Sequence, residues 1–171
     1  MFDPWPHPAC LPDEELLKGC TLSRGRSSGP GGQHRNKVET EVIITHDATG
    51  IRTHAGERRS QIENKRVALF RMRLALATNE RTPVPTGEIG SPLWRSRVRA
   101  GKIAVNPEHT DFPSMLAEAM DVIAAAAWDP KNAALRLDCS ASQLIKLIKD
   151  HPPAFERWNR ERAAHHLHPL K

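Results

Sequence analysis

The stretch Arg26–Val42, RSSGPGGQHRNKVETEV, decides how the rest of the chain is read. Gly29, Pro30, Gly31 and Gly32 precede a lone glutamine, Gln33, and His34, Arg35, Asn36 and Lys37 follow it at once. Glycine loses more backbone freedom on ordering than any other residue, so a run this dense is costly to fix in place. Taken alone, the triplet reads either as a Gly-Pro hinge with an incidental glutamine or as a loop that holds Gln33 out. A glutamine amide has no useful pKa and serves as neither general acid, general base nor nucleophile. It can aim its backbone N–H at a developing oxyanion and position a water with its side chain, while Gly31 and Gly32 allow close backbone approach. That chemistry suits hydrolysis of an already activated ester.

The charge around the loop separates these readings. The 171 residues carry a formal charge of +5, which favours a polyanionic partner and is also compatible with a merely soluble protein. Residues 21–81 hold twelve Lys/Arg against six Asp/Glu, so the excess lies in the loop's own neighbourhood. A solvated helix face accounts for Arg71 and Arg73. It accounts poorly for HRNK directly after the glutamine, because clustered loop cations repel unless phosphates accept them. Aromatic residues make up 5% of the chain and tyrosine is absent, which argues against single-strand binding on stacked aromatic platforms. Cys10, Cys20 and Cys139 form no C-x-x-C pair, so neither a disulfide framework nor a zinc site is indicated. No stretch approaches the roughly 18 apolar residues of a membrane span. The N-terminal MFDPWPHPACLPDEELL has prolines and acids where a targeting signal needs basic and apolar runs. A soluble, cytoplasmic monomer is expected.

Outward from the loop, the expected class is α+β. PDEELLKGC reads as a short helix and CTLSRGR as a strand entering the loop; residues 1–10 are expected to be disordered. ETEVIITHD and GIRTHAG read as a hairpin turned at DATG by Gly50. RSQIENKRVALFRMRLALAT places Ile62, Val67, Leu69, Phe70, Leu74 and Leu76 among cations, a helix able to cover a small antiparallel sheet, with Ser60 and Glu63 as a capping box.

RSSGPGGQHRNKVET together with RRSQIENKRVAL resembles the catalytic domain of class I peptide chain release factors and of their stand-alone relatives that rescue stalled ribosomes. The resemblance rests on Arg26, Ser28, Gly29, Gly31, Gly32, Gln33, His34, Asn36, Lys37 and Thr40, then on Arg59, Ser60, Gln61 and Asn64. It covers about residues 20 to 78 and implies a sheet-plus-helix domain that enters the peptidyl transferase centre and hydrolyses peptidyl-tRNA. It implies that Gly31, Gly32 and Gln33 are catalytic and that Gln33 is a candidate for side-chain N-methylation. Arg35 stands where the family usually has an apolar residue. RNA phosphates would be met by Arg26, Arg35, Lys37, Arg58, Arg59, Lys65 and Arg66, with His34, Asn36 and Gln61 beside them. The expected partners are the ribosome, through its ribosomal RNA, and peptidyl-tRNA, with no cofactor. No codon-reading loop stands where one is needed, so action is expected to be codon-independent or dependent on a partner.

The chain is expected to divide into a catalytic domain at 11–78, an extended connector at 79–112 and a helical module at 113–171. Within the last, DPKNAALRL and SASQLIKLIKDH have the proportions of a helix-turn-helix, with Gln143, Lys146 and Lys149 near one face of its second helix. A small trihelical packing unit is the competing reading. HHLH at 165–168 reads as a frayed terminus rather than a metal site. Two other functions stay open: a non-catalytic ribosome- or rRNA-binding protein, and a DNA-binding regulator working through the C-terminal helices.

Overall fold

The computed structural model describes residues 5–25, 40–87 and 89–171. Arg26, Gly31, Gly32, Gln33, His34, Arg35, Asn36 and Lys37 lie outside the described residues. The architecture is α+β: the described residues form seven α-helices, a three-stranded antiparallel sheet and a two-stranded one. They fall into two units, residues 11–75 and residues 5–10 with 76–171.

The first unit opens with α1 (Asp13–Lys18), whose first turn holds Asp13, Glu14 and Glu15, where the helix dipole favours negative charge. β1 (Cys20–Gly25), β2 (Glu41–His46) and β3 (Arg52–Ala55) follow, with β2 in the centre. Along β2, Val42, Ile44 and His46 are buried and alternate with half-buried Glu41, Ile43 and Thr45, the two-residue period of a strand with one covered face. The turn to β3 closes as DATG suggests: the Gly50 N–H donates to the His46 carbonyl at 2.8 Å, and Gly50 takes a left-handed φ of 70° that glycine alone adopts freely.

α2 (Gln61–Asn79) covers the sheet with a stripe different from the expected one. Asn64, Ala68 and Met72 are fully buried at four-residue spacing and Leu69 is nearly so. Ile62 is 69% exposed, and Val67, Phe70 and Leu74 are half-buried. Close approach explains the rotation: Thr53 Oγ1 donates to the Ala68 carbonyl at 2.9 Å, which brings strand against helix backbone where the side chain is small.

The second unit is helical. Residues 79–112, expected to be an extended connector, carry α3 (Pro92–Arg97) and the strands β4 (Val98–Arg99) and β5 (Lys102–Ile103). Trp94 is buried there and its Nε1 donates to the Leu137 carbonyl at 2.8 Å. α4 (Phe112–Ala125) runs through the core, with α5 (Pro130–Arg136), α6 (Ala141–Lys149) and α7 (Pro152–Ala164) after it. The expected caps form: Asp129 accepts from the Asn132 N–H at 2.7 Å and Ser140 from the Gln143 N–H at 3.2 Å.

Two carboxylates on α4 are buried and both are answered by hydrogen bonds. Glu118 accepts from the Ser91 N–H at 2.7 Å and from Ser91 Oγ at 2.6 Å, while burial pushes its carboxyl above the usual range. Asp121 accepts from Trp5 Nε1 at 2.9 Å and from the N–H and Oγ1 of Thr82 at 3.1 and 2.6 Å. Residues 5–10 are therefore ordered, against expectation, with Trp5, His7 and Ala9 all buried. The C-terminal residues are also tied down rather than frayed. Asn159 brackets Leu170 with bonds of 2.7 and 3.2 Å, and Arg162 Nε donates to the His168 carbonyl at 2.8 Å. Among the described residues no helix is long and apolar enough to cross a membrane.

His7 makes this unit sensitive to pH. Its Nδ1 accepts from the Ala9 N–H at 3.0 Å, so Nε2 carries the proton and donates to the Glu80 carbonyl at 3.2 Å. The neutral ring is satisfied at both nitrogens, and burial holds its pKa below 6.5 against the attraction of Asp121. As pH falls through 6.5 the unfolded chain takes up the proton first, so stability present above that pH is lost below it. Glu118, shifted upward, acts in the opposite sense at lower pH. The urea midpoint should fall between about pH 7.5 and about pH 5.5, and His7→Gln should flatten that dependence. Parallel slopes for the two proteins would contradict the assignment.

Candidate functional site

Residues 26–39, which contain the candidate catalytic triplet, join β1 to β2, so the flanking described residues define its base. Gly25 pairs with Glu41 at the end of the β1–β2 ladder. A β-carbon on Gly25 would stand 2.5 Å from Glu41 Oε2, whose partner oxygen Oε1 lies 2.9 Å from His54 Nδ1. A side chain at 25 would thus require the Glu41 carboxylate, the end of a flexible side chain, to shift.

The other side of the base is organised by Asn64. Its side chain is fully buried and makes three hydrogen bonds to backbone. Nδ2 donates to the Thr40 carbonyl at 2.7 Å and to the Arg58 carbonyl at 2.9 Å, and Oδ1 accepts from the Arg58 N–H at 2.9 Å. One carboxamide therefore joins the chain just past residue 39 to the turn before α2. The helix start is closed less tightly: Ser60 Oγ lies 3.5 Å from the Glu63 N–H, a long version of the expected cap. Arg71 braces the same turn, donating to the His54 carbonyl at 2.7 Å and pairing with Glu57, whose carboxyl it holds below its ordinary range.

The expected RNA-facing residues in this region separate by partner. Arg71, exposed and paired with Glu57, suits the solvated-face reading, whereas the Arg73 side chain is largely covered and pairs with Asp13. Arg58, Arg59, Lys65 and Arg66 are exposed, and among the described residues none of the four is paired with a carboxylate. All four lie within a few residues of Asn64 in the chain, and the backbone of Arg58 is held by its side chain. Gln61, half-buried, opens α2 beside them. Residue reasoning missed the role of Asn64. The signal available was a polar residue at 64 in register with small or apolar residues at 68, 72 and 76.

In the helical unit, the three side chains expected to face a duplex are engaged within the chain. Gln143 Oε1 accepts from the Ile103 N–H at 3.2 Å, Lys146 pairs with Asp150 at 3.0 Å, and Lys149 Nζ lies 5.2 Å from the centre of the Phe155 ring. Among the described residues no group of His, Cys, Asp or Glu is arranged to hold a metal ion.

Residues 17–88 match the family model described as the RF-1 domain. Among curated proteins, the chain is 46% identical over 66 residues to peptide chain release factor PrfB1, chloroplastic, of Arabidopsis thaliana, covering 39% of this chain and 14% of that protein. It is 35% identical over 107 residues to peptide chain release factor 2 of Wolinella succinogenes, covering 58% and 28%. Against peptide chain release factor 1 of Xylella fastidiosa the identity is 43% over 63 residues, covering 37% and 18%. The matched regions span less than a third of each of these relatives. The resemblance to a class I release factor domain is thus supported over residues 17–88, fewer than half of the chain.

The Asn64 geometry has a direct consequence. Asn64→Ala removes the partner of the Arg58 N–H and of two carbonyls, at a cost of about 1–3 kcal/mol for each of these groups that water does not reach. It should also abolish slow hydrogen exchange at the Arg58 amide. Wild-type protection of that amide in a folded variant would disprove the role given to the side chain.

Proposed function

We propose that the chain is a release-factor-like protein that hydrolyses peptidyl-tRNA on the ribosome, in termination or in rescue, without reading a codon itself. The observation that carries this reading is the RF-1 domain match over residues 17–88, which includes the Gly31-Gly32-Gln33 triplet and the Asn64 clamp. The reaction is attack of water on the ester carbonyl that joins the peptide to the terminal ribose of the tRNA. The C–O bond breaks and the ribose hydroxyl leaves with a proton. Gln33 contributes its backbone N–H to the oxyanion and its side-chain amide to the placement of water. Gly31 and Gly32 let that backbone come close. This mechanism draws on no metal or organic cofactor.

Binding comes from ribosomal RNA phosphates met by Arg26, Arg35, Lys37, Arg58, Arg59, Lys65 and Arg66, with His34, Asn36 and Gln61 as polar contacts. The exposure of Arg58, Arg59, Lys65 and Arg66, none of them paired with a carboxylate among the described residues, supports this assignment. The protein acts as a cytoplasmic monomer. The pair α5–α6 is a helix-turn-helix-like docking unit and not a reader of duplex DNA, a choice supported by the engagement of Gln143, Lys146 and Lys149 within the chain.

Peptide release from ribosomes carrying peptidyl-tRNA tests the reading, with mRNAs that end at the decoding site or extend past it. Gly32→Ala should nearly abolish release, because a β-carbon there blocks close approach. Gln33→Ala should lower it more modestly, since the backbone N–H survives. Release by Gly32→Ala equal to wild type would refute the catalytic assignment, and would leave a non-catalytic ribosome-binding protein in its place.

A further inference from the structure

Between Glu88 and Glu108 the chain has no acidic residue and four cations, Arg95, Arg97, Arg99 and Lys102. Arg97 is neutralised by Asp111, to which its Nε and Nη2 both donate. Arg99 and Lys102 differ. They stand directly opposite each other across β4 and β5, both are exposed, and among the described residues neither is paired with a carboxylate. Like charges at facing cross-strand positions destabilise a hairpin. The turn between them is unfavourable as well. Ala100 and Gly101 have φ of 49° and 74°, a two-residue turn with both positions left-handed, which favours Asn-Gly or Gly-Gly and strains an alanine.

This costly tip is nevertheless held firmly. The Gly101 carbonyl accepts from the Ser140 N–H at 3.0 Å, at the start of α6. The Ile103 N–H donates to Gln143 Oε1 at 3.2 Å, and the Ala104 N–H to the Arg97 carbonyl at 2.8 Å. Gln143 thus serves as the bracket of the hairpin. A repelling pair and a strained turn kept in place by a satisfied scaffold are the kind of local conflict that marks a functional position.

We infer that the β4–β5 tip is an RNA contact of the helical unit, in which Arg99 and Lys102 each neutralise one phosphate of ribosomal RNA, an assignment of the polyanion that rests on the ribosomal reading above. Phosphates between the two side chains convert their repulsion into a bidentate cationic grip. The contact draws on no residue of the RF-1 match, which ends at residue 88.

The test uses the full chain and an Arg99→Thr/Lys102→Thr double variant, which keeps strand propensity and removes both charges. Co-sedimentation with purified ribosomes is measured across about 50 to 200 mM salt, alongside unfolding midpoints, binding to a mixed-sequence DNA duplex, and peptide release at saturating protein. The double variant should lose about two units of salt slope, so its affinity loss over that range should be about tenfold smaller than wild type's. Its unfolding midpoint should be unchanged or higher. Should the double variant fail to fold, Arg99→Gln and Lys102→Gln singly should each remove about one unit. A wild-type slope in folded variants overturns the inference, as does tighter wild-type binding to the duplex than to ribosomes. A reduced slope with no peptide release by wild type upholds the hairpin contact and overturns the hydrolase reading. Failure of the wild type to bind ribosomes overturns both.

Discussion

A buried carboxamide left without partners costs about 1–3 kcal/mol for each stranded group, so a protein places one inside only where it has several backbone groups to answer it. Asn64 answers three, from two segments that are 18 residues apart in the chain at Thr40 and Arg58. Neither segment belongs to a strand or helix, and their backbone groups need a partner that no ladder supplies. The stripe on α2 then follows. With Asn64 turned inward, Ala68 and Met72 must lie on the same face one and two turns later, and Ile62 is left outside. The whole orientation of α2 on the sheet is thus tied to a polar residue, and the apolar residues pack in the register it imposes.

The helical unit uses the same device with carboxylates. Glu118 and Asp121 on α4 lie three residues apart and reach different partners: Glu118 takes the N-terminal end of α3 through Ser91, and Asp121 takes residue 5 and residue 82. Asp121 also has Arg81 Nη1 at 3.6 Å, the covered nitrogen of a half-buried guanidinium whose pKa desolvation lowers to about 10. Removing one member of such a set leaves the others buried and unanswered, which is far costlier than losing a surface pair. Segments with little periodicity of their own are fixed by these groups at Trp5, Thr82 and Ser91.

That pattern explains what was legible in the sequence. The strands β1, β2 and β3, the Gly50 turn and the caps at Asp129 and Ser140 depend on local chemistry, and the residues announce them. The order of residues 5–10 and the burial of Trp94 in an apparent connector depend on hydrogen bonds between distant positions, and the return of residues 165–171 along α7 on side-chain bonds from Asn159 and Arg162 to the backbone. Trp5 to Asp121 spans 116 positions, and no window of sequence contains both ends. At the candidate site the same division holds. The triplet and its cations are recognisable from composition and from resemblance, whereas the clamp at Asn64 requires knowing which backbone groups lack a partner.

The separation of paired from unpaired cations bears on how the proposed chemistry could be driven. A neutral amide brings no proton transfer to a reaction, so any acceleration by Gln33 must come from placement and from dipoles held in position. Placement has to be supported by binding energy from groups that do not react. In the first unit the cations that brace structure, Arg71 and Arg73, are matched by Glu57 and Asp13, while among the described residues Arg58, Arg59, Lys65 and Arg66 have no carboxylate partner. Arg58 joins the two roles: its charge is available outward while both of its backbone polar groups are bound to Asn64. In the proposed reading, a phosphate gripped there pulls on the same carboxamide that holds the Thr40 carbonyl, at the edge of the catalytic segment. Binding and placement would then be coupled through one side chain, and the energy of docking would reach the reacting groups without a titratable residue between them.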